Sequence, residues 1–135
     1  MLRDRRYIRI DQRPLILVYR VTLFPNFAET AERWRSICRE QGIGEIYIAM
    51  VESFDLVHAN THPKKFGCDA AVEFPPQELA EQKPPTGGVI NPNFVGSVAD
   101  YRDLAVRYAT REVPGYTRFR GVMPGWDNTA RRQNN

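Results

Sequence analysis

Glu45-Ile-Tyr-Ile-Ala-Met-Val-Glu52 is the stretch that decides the fold, because apolar residues run through it without alternation between two charged ends. A strand of this kind is buried on both faces, which is typical of a parallel sheet covered by helices. The segments Pro14–Arg20 and Asp69–Pro75 are continuously apolar in the same way, and Phe119–Pro124 is a fourth strand candidate. The sequence therefore predicts about four parallel strands.

Two amphipathic helices are predicted between these strands. The first runs from about Phe27 to Gln41, with Asn26 as its capping residue and Gly42 at its exit. The second runs from about Val98 to Thr110 and follows the capping candidate Ser97. Strands that alternate with helices leave two architectures open, an open doubly wound sheet and a (β/α)8 barrel.

The position of polar residues favours the barrel. A dinucleotide or P-loop fold needs a Gly-rich phosphate loop after its first strand, whereas Tyr19–Pro25 stands there. Barrels carry their functional groups at the carboxyl ends of the strands. The polar residues that fall at those ends are Tyr19, Arg20, Glu52, Glu73, Trp126 and Asp127. We predict an α/β fold, a partial (β/α)8 TIM-type barrel in a single partial domain over residues 1–135, with a long Pro/Gly-rich loop at 76–97.

Composition and charge argue against several classes of protein. No segment approaches the apolar length that spans a bilayer. The net charge is +3, but the excess arginines lie mostly near the two ends, so no continuous basic face for nucleic acid is expected. Cys38 and Cys68 are predicted to be small buried hydrophobes in a reduced compartment. The amino terminus has no apolar secretory stretch, so a cytoplasmic location is expected.

Three blocks of the sequence resemble a known family. They are Arg6–Arg20, Asp69-Ala-Ala-Val-Glu-Phe-Pro-Pro76 and Pro124-Gly-Trp-Asp-Asn-Thr-Ala-Arg-Arg132, and together they closely resemble, in the family's order, the WbsX-type, glycoside hydrolase family 99-like domain. The resemblance implies a (β/α)8 barrel that works on carbohydrate. It also implies a glycan or sugar-nucleotide substrate, since many members are described as glycosyltransferases of bacterial lipopolysaccharide or O-antigen synthesis. No cofactor is implied.

The same resemblance predicts what lies outside the chain. The family's Trp-Ala-Asn-Glu-Asn-Trp type motif is expected before Met1, and its Asn-Glu-Trp-x-Glu-Gly type segment, with the paired glutamates, after Asn135. No catalytic residue is therefore assigned within the chain. Three alternatives stay open: a truncated enzyme that is inactive alone, a non-catalytic carbohydrate-binding fragment or remnant, and one piece of a split barrel. Open sheet edges also predict self-association.

The candidate substrate-binding residues begin with two glutamates. Glu73 lies in an otherwise apolar strand, where an unpaired carboxylate is costly. We interpret it as a ligand for sugar hydroxyls, and the alternative is a structural salt bridge with an arginine on a neighbouring strand, such as Arg20. Glu52 is a second candidate, with simple solvation at its strand end as the alternative. Tyr19 and Arg20 complete this group at the end of the first strand.

The remaining candidates lie in the block after the last strand. Trp126 offers a flat face for a pyranose ring, with a packed barrel-mouth aromatic as the alternative. Asp127 and Asn128 are able to bind sugar hydroxyls, although the pair also makes a good turn. Arg131 is a candidate for binding the carboxylate or phosphate of an acidic sugar or sugar nucleotide.

A metal site is not expected. His58 and His62 have a spacing that would bring two imidazoles together on a helix, but no acidic or thiol ligand accompanies them and Pro63 follows directly. We interpret them as solvated loop histidines.

Overall fold

The computed structural model describes residues 1–56, 61–76, 83–84, 87, 91–94 and 96–125. Contacts divide the chain into two compact units, each described here by itself. The first unit comprises Met1–Phe74 and Pro114–Gly121, and the second comprises Pro75–Val113 and Val122–Asn135.

The first unit is built on a mixed five-stranded sheet. Its strands, which lie across the sheet in chain order, are β1 (Arg9–Ile10), β2 (Arg13–Val18), β3 (Tyr47–Glu52), β4 (Ala70–Glu73) and β5 (Arg118–Phe119). Strands β2 to β5 run parallel to one another, and β1 is antiparallel to β2. The predicted α/β class is confirmed, and the parallel strands are those that the apolar segments indicated.

Strand ends differ from the predicted bounds for identifiable reasons. β4 ends at Glu73 rather than Pro75, since prolines cannot donate to a sheet ladder. β5 ends at Phe119 instead of continuing to Pro124. The backbone N–H of Gly121 donates to Glu73 Oε2 at 3.0 Å, so a side chain takes the place of a ladder partner.

Strand β1 is a hairpin partner of β2 that the sequence did not predict. The two linking residues, Asp11 and Gln12, have φ of 47° and 63°, as in a two-residue turn with both central residues left-handed. Asp-Gln lacks the glycine that usually marks such a turn, so the signal is weak. The segment before β1 also pairs with β2, because the Leu15 N–H donates to the Ile8 carbonyl at 3.0 Å. It therefore covers more of the edge of β2 than β1 does alone.

Helix α1 (Phe27–Glu40) confirms the first predicted helix. The Asn26 side chain accepts a hydrogen bond from the Glu29 N–H at 3.3 Å, which satisfies one of the unpaired donors at the helix start. Gly42, just beyond the helix, has φ of 68°, the left-handed conformation that glycine adopts most easily. Both predicted boundary residues therefore act at the ends of α1.

The second unit contains helix α2 (Tyr101–Ala109), which starts later than predicted. Asp100 caps it in place of Ser97, because the Asp100 carboxylate accepts from two backbone N–H groups of the first turn. Val98, expected inside the helix, instead forms an antiparallel bridge with Lys83. No helix within the described ranges has the length and apolarity needed to cross a bilayer.

The sheet of the first unit has an apolar layer on each face. The helix face is the one that packs against α1, through Ile46, Ile48, Met50 and Ala71 with Phe27, Ala31 and Cys38. The far face carries Tyr47, Ala49 and Ala70, with Leu15, Val72 and Phe119 partly buried beside them. Because side chains alternate along a strand, every second residue belongs to the helix face and the others to the far face.

Asp69 joins several elements at the amino end of β4. Its Oδ1 lies 3.0 Å from Arg13 Nη1 on β2, and its Oδ2 lies 3.0 Å from Arg35 Nη2 on α1. Oδ2 also accepts from the backbone N–H of Ile48 on β3 at 2.9 Å. One carboxylate therefore fixes two strands and the helix relative to β4.

We expect Asp69→Ala to lower the free energy of unfolding by about 2 to 4 kcal/mol, because it removes two ion pairs and leaves the buried N–H of Ile48 without its acceptor. Urea denaturation followed by circular dichroism measures the change. The control is Asp4→Ala, which removes the exposed pair between Asp4 and Arg6 and should leave the midpoint almost unchanged. Equal midpoints for the two variants would contradict this role of Asp69.

Both cysteines are buried free thiols, as predicted. Burial, the main cause, raises the pKa of the Cys68 thiol to about 12; the nearby Asp69 also raises it, and Arg35 opposes this effect. Since the thiolate is the reactive form, Cys68 is expected to be inert in the folded protein.

In a Cys38→Ser variant, we expect Cys68 to resist a disulfide thiol reagent at pH 8 and to react at once in denaturant. Rapid labelling of the native variant at pH 8 would refute the burial of Cys68.

The raised pKa of Cys68 also makes stability depend on pH. Because the folded protein holds the thiol proton more tightly than the unfolded chain does, the free energy of unfolding has its full value below about pH 9. It falls as the pH rises from about 9 towards 12.

Candidate functional site

The carboxyl ends of the parallel strands meet at one edge of the sheet. Val18 on β2 is in register with Met50 on β3, and Glu52 on β3 is in register with Glu73 on β4. The residues that follow β2, β3 and β4 therefore come together, which brings Tyr19 and Arg20 near the residues after Glu52 and Glu73. This edge holds two groups of side chains.

The first group is a carboxylate network on the helix face. Glu52 and Glu73 are each only 3% exposed and lie directly opposite each other across the two strands. Two like charges in that arrangement repel each other unless a cation lies between them. Arg118 on β5, whose side chain is also 3% exposed, supplies that cation, with its Nε 3.3 Å from Glu73 Oε1 and its Nη1 3.9 Å from Glu52 Oε2.

Further donors complete the carboxylate network. The Tyr116 hydroxyl donates to Glu52 Oε1 at 3.0 Å. Arg120 Nη1 donates to Glu73 Oε1 at 3.0 Å, and the Gly121 N–H donates to Glu73 Oε2. Both oxygens of Glu73 are thus engaged by β5 and the residues after it.

This geometry decides between the alternatives considered for the glutamates. The suggestion that Glu52 is simply solvated at its strand end is wrong, because Glu52 is buried and bound by Tyr116. The alternative of a salt bridge between Glu73 and an arginine on a neighbouring strand is confirmed, with Arg118 on β5 as the partner and Arg120 just beyond it in place of Arg20. A role for Glu52 and Glu73 in binding substrate stays a prediction.

The second group is an aromatic cluster formed by Tyr19, Phe54 and Phe74. The Tyr19 ring lies 5.3 Å from that of Phe74 and 6.1 Å from that of Phe54, between centroids, in edge-to-face contacts. Tyr19 is 46% exposed and Phe54 is 37% exposed. Alternation along β2 and β4 places Tyr19 and Phe74 towards the far face, away from the carboxylate network.

Phe54 holds an unusual backbone conformation within this cluster. Its φ is 52°, in the left-handed region that bulky residues rarely occupy. The preceding Ser53 is buried, and its hydroxyl donates to the Tyr19 carbonyl at 2.8 Å. Leu56, two residues after Phe54, is also buried. These neighbours fix the turn, and such strained positions are enriched at ligand sites.

Arg20 lies against the aromatic cluster, with its guanidinium carbon 4.4 Å from the centre of the Phe54 ring. This is the distance of a cation–π contact. Of the predicted substrate-binding residues that the structure describes, Tyr19 and Arg20 therefore belong with the aromatic cluster, and Glu52 and Glu73 form the carboxylate network. Trp126, Asp127, Asn128 and Arg131 lie outside the described residues, as does His58.

His62 has a structural partner. Its Nδ1 accepts from the Lys64 N–H at 3.3 Å at the start of the 3-10 helix Pro63–Phe66, and its ring lies 5.3 Å from that of Tyr116. Within the described part of the chain, no group of three or more His, Cys, Asp or Glu side chains is placed to hold a metal ion.

Sequence reasoning missed five side chains of the two groups: Phe54, Phe74, Tyr116, Arg118 and Arg120. An aromatic residue follows each of β2, β3 and β4 within two positions, and that recurrence was a usable signal. The spacing of Arg118 and Arg120 was another, since two arginines two residues apart on a strand share a face. Their pairing with glutamates more than 40 positions away required the sheet register.

The profile of the family described as Glycosyltransferase WbsX matches residues 1–135. The chain belongs to the WbsX glycosyltransferase family. Two relatives, from two strains of Xanthomonas campestris pv. campestris, both carry the name uncharacterized protein WxcX. Each is 44% identical over 97% of the chain, and the chain spans 18% of the length of each. No solved structure matches it.

We expect Arg118→Met to lower the free energy of unfolding by about 3 to 5 kcal/mol, because it leaves two buried carboxylates without their shared cation. The control is Arg120→Met, whose side chain is 44% exposed and whose loss should cost less than half as much. Adding Glu52→Gln to Arg118→Met should restore part of the stability. Wild-type stability of Arg118→Met in chemical denaturation would contradict the network.

Proposed function

We propose that this chain supplies part of the sugar-binding surface of a carbohydrate-active protein of the WbsX family. The observation that carries the proposal is the aromatic cluster at the carboxyl ends of the parallel strands, with two of its three rings exposed. An exposed group of large apolar side chains is a marker of a binding surface. The flat C–H face of a pyranose packs well on such rings, while the Tyr19 hydroxyl offers a hydrogen bond.

The proposal includes a partial (β/α)8 barrel within a single domain over residues 1–135. Four parallel strands in sequential order support it, as does α1, which connects β2 to β3 and packs on one face of the sheet. In such a barrel the far face would point inwards, and small residues such as Ala49 and Ala70 suit an interior. The aromatic cluster would then lie at the mouth, where barrels bind ligands.

We assign different tasks to the two groups at this edge. The aromatic cluster contacts the sugar, and the carboxylate network holds β5 against β3 and β4 so that the strand tips keep their positions. Trp126, Asp127, Asn128 and Arg131 remain proposed contributors of a further stacking face, hydroxyl ligands and a cation. Direct contact of Glu52 or Glu73 with sugar hydroxyls remains part of the proposal for a state in which the network opens.

A second candidate function is carbohydrate binding without catalysis by this part of the protein. It is favoured by the engagement of Glu73, whose two oxygens accept hydrogen bonds from Arg120 and from the Gly121 N–H, as in a carboxylate with a structural role. For the protein as a whole we propose a step of bacterial lipopolysaccharide or O-antigen metabolism in the cytoplasm. Membership of a glycosyltransferase family and the two free thiols support this setting.

The test is titration of the purified chain with neutral and acidic oligosaccharides by isothermal calorimetry, with sugar release assayed in parallel. We expect saturable binding without hydrolysis, and a loss of about fivefold to tenfold in affinity for Tyr19→Leu, because one stacking contact is removed. The control is Phe24→Leu, an aromatic residue of similar exposure (38%) that packs beside α1. Absence of saturable binding, or equal losses for the two variants, would refute the proposal.

A further inference from the structure

We propose that Arg20 is an oxyanion-binding residue, so that the ligand of the aromatic cluster is an acidic sugar carrying a carboxylate or a phosphate. The inference rests on the proposed sugar-binding function and narrows its substrate class. It depends on three observations: the position of Arg20 on the Phe54 ring, the state of its donors, and the charge of its surroundings.

The contact with Phe54 positions the Arg20 head group. Its guanidinium carbon lies over the ring, 4.4 Å from the ring centre. The N–H donors of a guanidinium lie at its edge and form two parallel hydrogen bonds with an oxyanion, and a ring that covers one side does not compete for them. An arginine held in this way loses less side-chain freedom on binding than an unrestrained one.

The donors of Arg20 are incompletely satisfied by the protein. Its Nε is buried and has no hydrogen-bond partner among the described residues, and Arg20 forms no ion pair within that part of the chain. A buried donor without an acceptor costs free energy. Arg20 as a whole is only partly buried, so an oxyanion is able to reach the accessible part of the guanidinium and to supply an acceptor that the protein does not.

The charges at the same edge of the sheet are otherwise matched. Glu52 and Glu73 are bound to Arg118 and Arg120 in the carboxylate network, so their charges are already balanced by cations. Arg20 lies over the Phe54 ring, which cannot neutralise its charge. Among the residues that the structure describes, the aromatic cluster thus carries a positive charge without an ion-pair partner next to a stacking surface, which matches a sugar ring with an attached anionic group.

The left-handed backbone of Phe54 links the two parts of this site. The turn that brings its ring under Arg20 is tied to the Tyr19 carbonyl through Ser53. The residues that would contact the sugar and the anion are therefore positioned by one short segment. A change in Phe54 should weaken both contacts, whereas a change in Arg20 should weaken only the contact with the anion.

The experiment compares four ligands, glucose, glucuronate, glucose 1-phosphate and inorganic phosphate, by calorimetric titration of the full chain. We expect glucuronate or glucose 1-phosphate to bind about tenfold or more tightly than glucose, since hydrogen bonds to charged groups are the stronger ones. Which of the two binds better identifies the anion as carboxylate or phosphate. Inorganic phosphate should bind more weakly than either because it cannot stack.

The variants separate charge from stacking. Arg20→Gln should lower the affinity for acidic sugars by about tenfold more than the affinity for glucose, whereas Arg20→Lys should keep part of the preference, because lysine keeps the charge but lacks the planar fork. Arg33→Gln removes the same charge from an exposed position on α1 and should preserve the preference. Thermal melting of each variant checks that it is folded.

The outcomes distinguish this inference from the proposed function. Equal affinity for glucose and the acidic sugars, with glucose binding still dependent on Tyr19, would overturn the role of Arg20 and leave the sugar site standing. An equal loss of glucose and glucuronate binding in Arg20→Gln would also overturn it, since the residue would then act on the sugar site in general. No binding of any of the sugars would overturn both.

Discussion

Two glutamates in register on neighbouring strands set the main constraint on this structure. Glu52 and Glu73 are both buried, and without a cation between them the carboxyl ends of β3 and β4 would repel each other. Arg118 resolves that conflict from β5, a strand of only two residues that has few ladder bonds of its own. The ion pairs of Arg118 therefore hold β5 in the parallel sheet together with its backbone pairing to β4.

Much of this architecture could be predicted because its determinants are local. Continuous apolar runs identified β2, β3 and β4, and a capping asparagine and an exit glycine identified the ends of α1. The determinants that escaped prediction are either weak locally or distant in the chain. The Asp11-Gln12 turn adopts its conformation without a glycine, and the partners of Glu73 depend on which strand becomes its neighbour. The sequence was enough to place the candidate residues at the ends of strands. Assigning them to the helix face or the far face of the sheet required the strand register.

Together with the proposed sugar site, that separation would put stability on one side of the sheet edge and ligand recognition on the other. The helix face holds its charges in closed ion pairs, and the far face presents exposed rings beside Arg20. At the other end of the strands Asp69 fixes β2, β3 and α1 to the start of β4. The ion pairs that hold the strands together therefore lie at the amino end of β4 and on the helix face.

The conformation of Phe54 has a consequence for the energetics of recognition. Folding already places this residue in the left-handed region, and the neighbouring Ser53 is bound to the Tyr19 carbonyl, so the backbone turn that carries the ring is formed before any ligand arrives. A ligand would then bind to a preorganised turn and would not have to order a flexible loop, so little conformational entropy would be lost on binding. The affinity at such a surface would depend mainly on how well the ligand matches its shape and charge.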